Sequence, residues 1–297
     1  MATKFAEKAF HLIQPFVCHK QKDYTPNEST KYIHSFGTER QYIQSVTRLL
    51  EWMDDLGLDI DGPYTTTVKQ EFLYCMEEVF EQTQLDTTRQ ALELVFGEKL
   101  IRTKSLRATH LTTRSYTSEE VLAIVRHQSD WNVLPTMLSF MSGLRAHEAF
   151  TLKRKSEAAA SPGRPWSPEL FSGLEDHEIY IVKGKGGLIR QVAIPHKLAE
   201  CIEARRSKSP WLAVDRGIEY ESMYAIGGGQ SFSQSFCSAS KKALGFSHGA
   251  HGLRHSYAKQ RLDQLRTTCQ FSLEKSMLIL SQELGHFRPE ITMIYLR

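Results

Sequence analysis

The chain has 297 residues, of which 41% are hydrophobic and 24% charged, with a formal net charge of +3. That length suits two globular domains and that apolar content can fill their cores, while no run approaches the ~18 continuous apolar residues of a membrane span. The net charge alone is too small to indicate a nucleic-acid partner.

The N-terminus lacks the apolar run of a signal peptide. Five scattered cysteines (Cys18, Cys75, Cys201, Cys237, Cys269), never in a Cys-x-x-Cys pair, indicate reduced thiols in a cytoplasmic protein rather than a disulfide framework or a zinc site. Charge is distributed unevenly. Residues 1–114 hold 14 of the 37 Lys and Arg and 16 of the 34 Asp and Glu, which leaves the remainder with a net of +5. Between Lys99 and Arg114 stand five basic residues (Lys99, Arg102, Lys104, Arg107, Arg114) and no acid. By itself that run reads as a solvated linker as readily as a contact surface.

Residues 1–37 show no clean period. From Thr38 the pattern sharpens: Thr38-Glu39-Arg40-Gln41 reads as a capping box, followed by Ile43, Val46, Leu49, Leu50 and Met53 at helical spacing, with Gly57 closing the helix. A second helix is expected after Thr66 or Thr67 and a third near Asp86 or Thr87. These make a small all-α domain. Thr117 and Glu120 form a capping box for the next helix, and Trp131–Leu152 reads as a buried helix pair carrying Gly143-Leu144-Arg145-Ala146-His147-Glu148.

Residues 153–176, rich in Ser, Pro, Gly and Ala, predict a surface loop. Ile179–Val182 and Gln191–Ile194 predict a β-hairpin around the cationic turn Lys183-Gly184-Lys185-Gly186-Gly187. Residues 207–231 read as irregular. Helices follow near Ser233–Leu244, Leu253–Gln264 and Leu273–Glu283, and a last one opens at Pro289. The fold class expected is mainly α with a small antiparallel β-hairpin or sheet.

Breaking a phosphodiester without a metal requires cations on the nonbridging oxygens, an aimed nucleophile, and a proton for the departing oxygen. Arg145 and Arg254 suit the first need, because a guanidinium binds phosphate with two parallel donors and stays charged. His251 and His286 are donors of adjustable protonation. Lys185, or its competitor Lys183, sits on a flexible turn as a general acid, and Tyr295 supplies a nucleophile that conserves bond energy for rejoining. Each residue is unremarkable alone. Their order is informative: Gly-Leu-Arg-x-x-Glu, a Gly-Lys-Gly turn, His251-Gly252-Leu253-Arg254-His255, then Leu284-Gly285-His286 and Tyr295.

From Thr117 to Arg297 the sequence strongly resembles the tyrosine recombinase (phage integrase) family. The motifs that carry this are Gly143–Glu148, Gly184-Lys185-Gly186 with Arg190 and Pro195, His251–Ala258, and Leu284-Gly285-His286 through Tyr295. The resemblance implies that Arg145 and Arg254 clamp the scissile phosphate and that Lys185 protonates the 5′-oxygen. It implies that His251 and His286 bond the phosphate or move its proton, and that Tyr295 forms a 3′-phosphotyrosyl link. Glu148 would support the site and His255 would be structural.

It further implies a helical core-binding (SAM-like) domain over residues 1–106, a basic linker over 107–116 and a catalytic domain over 117–297. The DNA contacts expected are Lys99, Arg102, Lys104, Arg107, Arg114, Lys183 and Arg190. No metal or cofactor is expected. The partners implied are double-stranded DNA attachment sites, a dimer per site and a tetramer per synapse, accessory DNA-bending or directionality factors, and no membrane. Such a protein would integrate or excise a mobile element and associate with the nucleoid. A recombinase-like binding protein that does not cut, and a type IB topoisomerase-like enzyme, are the alternatives. The segments 153–176 and 207–231 are longer than is usual in the family, and the chain ends at Arg297 where many relatives continue with a helix that docks on a neighbour.

Overall fold

The computed structural model describes residues 4–19, 31–107 and 113–296. The chain divides into two compact units, Met1–His110 and Leu111–Arg297.

The first unit is built from α1 (Lys4–Ile13), α2 (Phe36–Asp55), α3 (Thr66–Cys75) and α4 (Gln82–Phe96). The helix α1 was hidden in the sequence because charged residues and Phe10 interrupt its stripe. Phe5, Ala9, Leu12 and Ile13 nevertheless recur at helical spacing and join the core with Val46, Leu49, Leu50 and Met53 of α2. Ser35, not Thr38, caps α2, since its hydroxyl accepts the Thr38 N–H at 3.1 Å. Gly57 follows the end of α2 at φ 69°. The third long helix starts at Gln82 rather than near Asp86, with Glu81 as its N-cap. Leu85 then becomes a first-turn core residue.

The stretch after α4 is extended and packed rather than a free linker. Leu100 and Thr103 are buried, and Gln70 and Gln82 bind its backbone. Part of the basic linker expected over 107–116 lies outside the described residues.

The second unit opens with α5 (Ser118–Val125), whose capping box between Thr117 and Glu120 forms as expected. Then comes α6 (Asp130–Ser142), followed by a 3-10 turn (Ala146–Thr151) where a second helix was expected. Strands β1 (Lys153–Arg154), β2 (His177–Lys183) and β3 (Ile189–Pro195) make an antiparallel sheet in the order β1-β2-β3, with Tyr180 opposite Val192 and Val182 opposite Arg190. One face of this sheet, with α6 and α7 (His196–Glu203), closes a core of Leu138, Leu152, Tyr180, Val182, Ile194 and Ile202.

Residues 207–231 are not irregular. They contain most of β4 (Arg206–Asp215) and all of β5 (Ile218–Tyr224), a second antiparallel pair. The pair is hard to read because Leu212 and Val214 face solvent while Ala213 and Asp215 face inward, which inverts the usual alternation. Pro210, which cannot donate, lies where the pairing register shifts. The turn at Arg216 and Gly217 has φ of 54° and 80°, a primed hairpin turn without the usual Asn-Gly signature. Inward-facing Asp215 accepts the Gln230 N–H at 2.8 Å, so the hairpin tip caps α8 (Gly229–Leu244).

Two long helices complete the unit, α9 (His251–Thr267) and α10 (Leu273–Glu283), before the short α11 (Pro289–Thr292) and a 3-10 turn (Met293–Leu296). The β1–β2 loop is tied down, contrary to the expectation of a plain surface loop. Phe171 N–H donates to Glu283 Oε1 at 3.0 Å, and Arg261 reaches the Ser172 carbonyl at 2.9 Å. The whole chain is mainly α with small antiparallel sheets.

Candidate active site

Two helices of the second unit end facing the same arginines. α6 stops at Gly143, which has φ 63°, and a Cβ there would stand 2.6 Å from the Tyr257 ring, so only glycine fits. Its carbonyl, free of the helix ladder, accepts Arg254 Nη1 and, at 3.3 Å, Arg190 Nη2. α10 ends at Glu283-Leu284. The Glu283 carbonyl accepts Arg190 Nη1 at 2.6 Å, and the Leu284 carbonyl accepts Arg254 Nη2 and, at 3.4 Å, Arg145 Nη2. The negative ends of both helix dipoles therefore point at guanidinium groups.

Arg145 follows Gly143 by two residues and caps the 3-10 turn. Its backbone N–H donates to Glu148 Oε2 and its Nη1 to Glu148 Oε1, both at 2.8 Å. Arg190 Nη2 meets Glu148 Oε2 at 2.6 Å. Burial alone would raise the Glu148 pKa. The charges of Arg190, Arg254 and Arg145 outweigh it and hold the carboxyl well below the usual range. Burial also pulls Arg254 down to about 9, with Arg145 adding to the effect, which leaves it charged at neutral pH. Two guanidinium groups, those of Arg145 and Arg190, bond this carboxylate, and Arg254 acts on it through its charge.

His251, Arg254 and His255 share one face at the start of α9. The Tyr295 ring packs on all three, with centroids 5.3 Å from His251 and 4.7 Å from His255 and the Arg254 Cζ 5.5 Å from its own. His286 closes the other side at 5.1 Å. Tyr295 is only 7% exposed and Arg254 lies fully buried behind it. His251 as a residue is exposed, yet its ring is walled by those of Tyr295 and His255. Both His251 and His286 are lowered to about 3, first by burial and then by the charge of Arg254. Both rings are therefore neutral at pH 7.

The structure therefore brings together Arg145, Glu148, His251, Arg254, His286 and Tyr295, from four separate segments. Lys185 lies in the turn joining β2 to β3. Its side chain is outside the described structure, but the preceding backbone reaches the site: a Cβ on Gly184 would stand 2.9 Å from Glu148 Oε1. Among the expected DNA contacts, Lys99, Lys104, Arg107, Arg114 and Lys183 are exposed, and Arg102 is at the surface but doubly bonded to Asp86 at 2.9 Å.

Arg190 is a correction. It is 1% exposed and holds Glu148 and two backbone carbonyls, so it cannot act as a surface phosphate contact. His255, expected to be structural, is buried one turn from His251 and next to Arg254, with its ring packed on that of Tyr295.

No family model matches the sequence, and no curated protein matches it. Solved structures do match. A XerH site-specific recombinase, bound to its palindromic difH substrate in a post-cleavage complex, aligns with 99% of this chain and 90% of its own, at TM-score 0.57 and 14% identity. A lambda integrase dimer bound to a COC′ core site aligns with 99% of this chain and 76% of its own, at TM-score 0.53 and 15% identity. A second lambda integrase structure bound to DNA aligns with 95% and 94%, at TM-score 0.51 and 16% identity. With this architecture, this chain has the fold of the tyrosine recombinases.

Proposed function

We propose that this protein is a site-specific DNA recombinase that cuts and rejoins strands through a 3′-phosphotyrosyl bond to Tyr295. The observation that carries the reading is the cluster of Arg145, Arg190 and Arg254 around the single carboxylate of Glu148, beside a tyrosine walled by two neutral imidazoles. Such a cluster holds two positive charges beyond its own carboxylate. A phosphodiester passing to a doubly charged transition state matches that excess.

The residues divide the work as follows. Arg145 and Arg254 bind the nonbridging oxygens, and Arg190 holds Glu148, which holds Arg145. The Tyr295 oxygen attacks phosphorus while its proton passes to His251 or His286. The bond from phosphorus to the 5′-oxygen breaks, and Lys185 gives that oxygen its proton, with Lys183 as the competitor. Attack by a 5′-hydroxyl reverses each transfer and releases the tyrosine. Because Arg254 is covered by the Tyr295 ring, phosphate binding requires that ring to slide aside.

Double-stranded DNA sites are the substrate in this reading, with two protomers per site and four per synapse, and integration or excision of a mobile element as the outcome. Lys99, Lys104, Arg107, Arg114 and Lys183 would supply phosphate contacts.

The test uses nicked DNA carrying the sequences that flank the protein's own gene, without added divalent metal. A covalent protein–DNA adduct on a denaturing gel is expected for wild type and not for Tyr295→Phe. Absence of the adduct with wild type on all such sites would sink the reading, and loss of the adduct on adding EDTA would sink the metal-free scheme.

A further inference from the structure

The loop between β1 and β2 touches two separate parts of the site at once. At one end, Ser161 pairs with the first residue of β3: its N–H donates to the Ile189 carbonyl at 2.9 Å, and its Oγ accepts the Ile189 N–H at 3.0 Å. Ile189 closes the turn that carries Lys185. That turn includes Gly186 and Gly187 at φ 75° and 82°, so its placement depends on what holds its ends.

At the other end, the Trp166 ring meets Phe287 edge-on at 4.6 Å, and Arg164 lies 5.3 Å over the same ring. Phe287 directly follows His286. Its φ of 56° is a conformation that a phenylalanine keeps only when its surroundings hold it there. The two ends are joined directly, because Trp166 Nε1 donates to the Ser161 carbonyl at 2.9 Å. Gln282 anchors the Trp166 end, accepting the Ser167 N–H at 2.6 Å and donating to the Pro165 carbonyl at 3.1 Å.

We propose that residues Ser161–Ser167 form a positioning strap that sets the distance between the Lys185 turn and the segment bearing His286 and Tyr295. Ser161 and Trp166 are its two positioning residues. The inference rests on the reading that those segments cut DNA. In-line displacement places nucleophile and leaving-group acid on opposite sides of phosphorus, and here they ride on two separate segments. A misplacement of about 1 Å costs up to ~100-fold in rate, so an element that fixes both is part of the machinery.

The test measures single-turnover adduct formation, DNA affinity, and amide hydrogen exchange of residues 285–296 in wild type, Ser161→Ala, Trp166→Ala and Trp166→Phe. Two nicked substrates are used, one ordinary and one with a 5′-bridging phosphorothiolate, whose sulfur leaves without a proton. Ser161→Ala loses the Oγ bond at Ile189 and should cut ordinary DNA ~10-fold more slowly but the phosphorothiolate at the wild-type rate. Trp166→Ala should slow both by ~10- to 100-fold at unchanged affinity and speed exchange of 285–296 about tenfold, whereas Trp166→Phe keeps a ring against Phe287 and recovers most of the rate.

Wild-type rates and exchange in every variant would overturn the strap. So would rate losses that merely track DNA affinity. If wild type forms no adduct, the cleavage reading fails while exchange still decides the strap: faster exchange in Trp166→Ala sustains it, and unchanged exchange overturns it.

Discussion

Glu148 joins Arg145 to Arg190, one carboxylate oxygen bonding the first at 2.8 Å and the other bonding the second at 2.6 Å. Arg145 and Glu148 belong to one 3-10 turn while Arg190 stands 42 residues further on, so Glu148 is the hub between that turn and β3. Replacing it by glutamine leaves Arg190 charged, buried and without a carboxylate. Glu148→Gln should destabilise the second unit by about 3–5 kcal/mol. A shift of the urea midpoint at unchanged slope measures this, and a midpoint equal to wild type would contradict it.

The pH response follows from the histidines. An unfolded histidine titrates near 6.5, whereas His251 and His286 are lowered to about 3 in the folded protein. Between those values the unfolded chain binds more protons, so stability falls as pH drops below about 6.5 and the loss is complete near 3. His251 lies at the rim, where water screens the arginines, so it should take up its proton at higher pH than His286. NMR of the imidazole protons should show neither ring titrating between pH 7 and 8. A bound phosphodiester, by offsetting Arg254, should raise both values.

Gly143→Ala tests the turn that feeds the arginines. The new methyl meets the Tyr257 ring in a left-handed conformation, and the carbonyl that binds Arg254 and Arg190 must move with it. A loss of about 1–3 kcal/mol from backbone strain alone is expected, together with loss of adduct formation. Thermal melting and the nicked-DNA assay measure the two effects.

The tyrosine that covers Arg254 should compete with DNA. Tyr295→Ala removes the ring and opens the guanidinium, whereas Tyr295→Phe retains the cover. Neither variant can form the adduct, so equilibrium binding is directly comparable. Tyr295→Ala should bind nicked DNA more tightly than Tyr295→Phe by a few-fold, with ~5-fold corresponding to about 1 kcal/mol of cation–π contact. Equal affinities would show that the ring does not obstruct the phosphate.

Salt dependence separates the basic residues after α4. Lys104 is exposed, while Arg102 is already bonded to Asp86. Lys104→Ala should reduce the slope of log affinity against log salt by about 1, and Arg102→Ala by less. Fluorescence anisotropy across a salt series reads both, and the reverse order would remove Lys104 from the interface.

Much of the cluster was legible because its residue types stand in a recognisable order along the chain. Arg145, His251, Arg254, His286 and Tyr295 meet as that order suggested. The helices of the first unit were legible from their stripes, but Ser35 displaced Thr38 as the cap, because capping depends on one hydroxyl's direction and not on a four-residue pattern. The β4–β5 pair was illegible because its apolar residues face water. Arg190 was misassigned because an arginine after a cationic turn looks solvent-bound until its buried carboxylate partner, 42 residues earlier, is in place. The β1–β2 loop looked loose by composition, yet its partners Gln282 and Glu283 stand more than a hundred residues away.

Arg254 donates its hydrogen bonds to two main-chain carbonyls, at Gly143 and Leu284. A carbonyl survives every amino-acid replacement, so substitution at either position can move the grip without deleting it. The guanidinium consequently gauges the gap between the ends of α6 and α10. Changes elsewhere that alter how these two helices terminate would reach Arg254 through the backbone, leaving its chemical identity untouched.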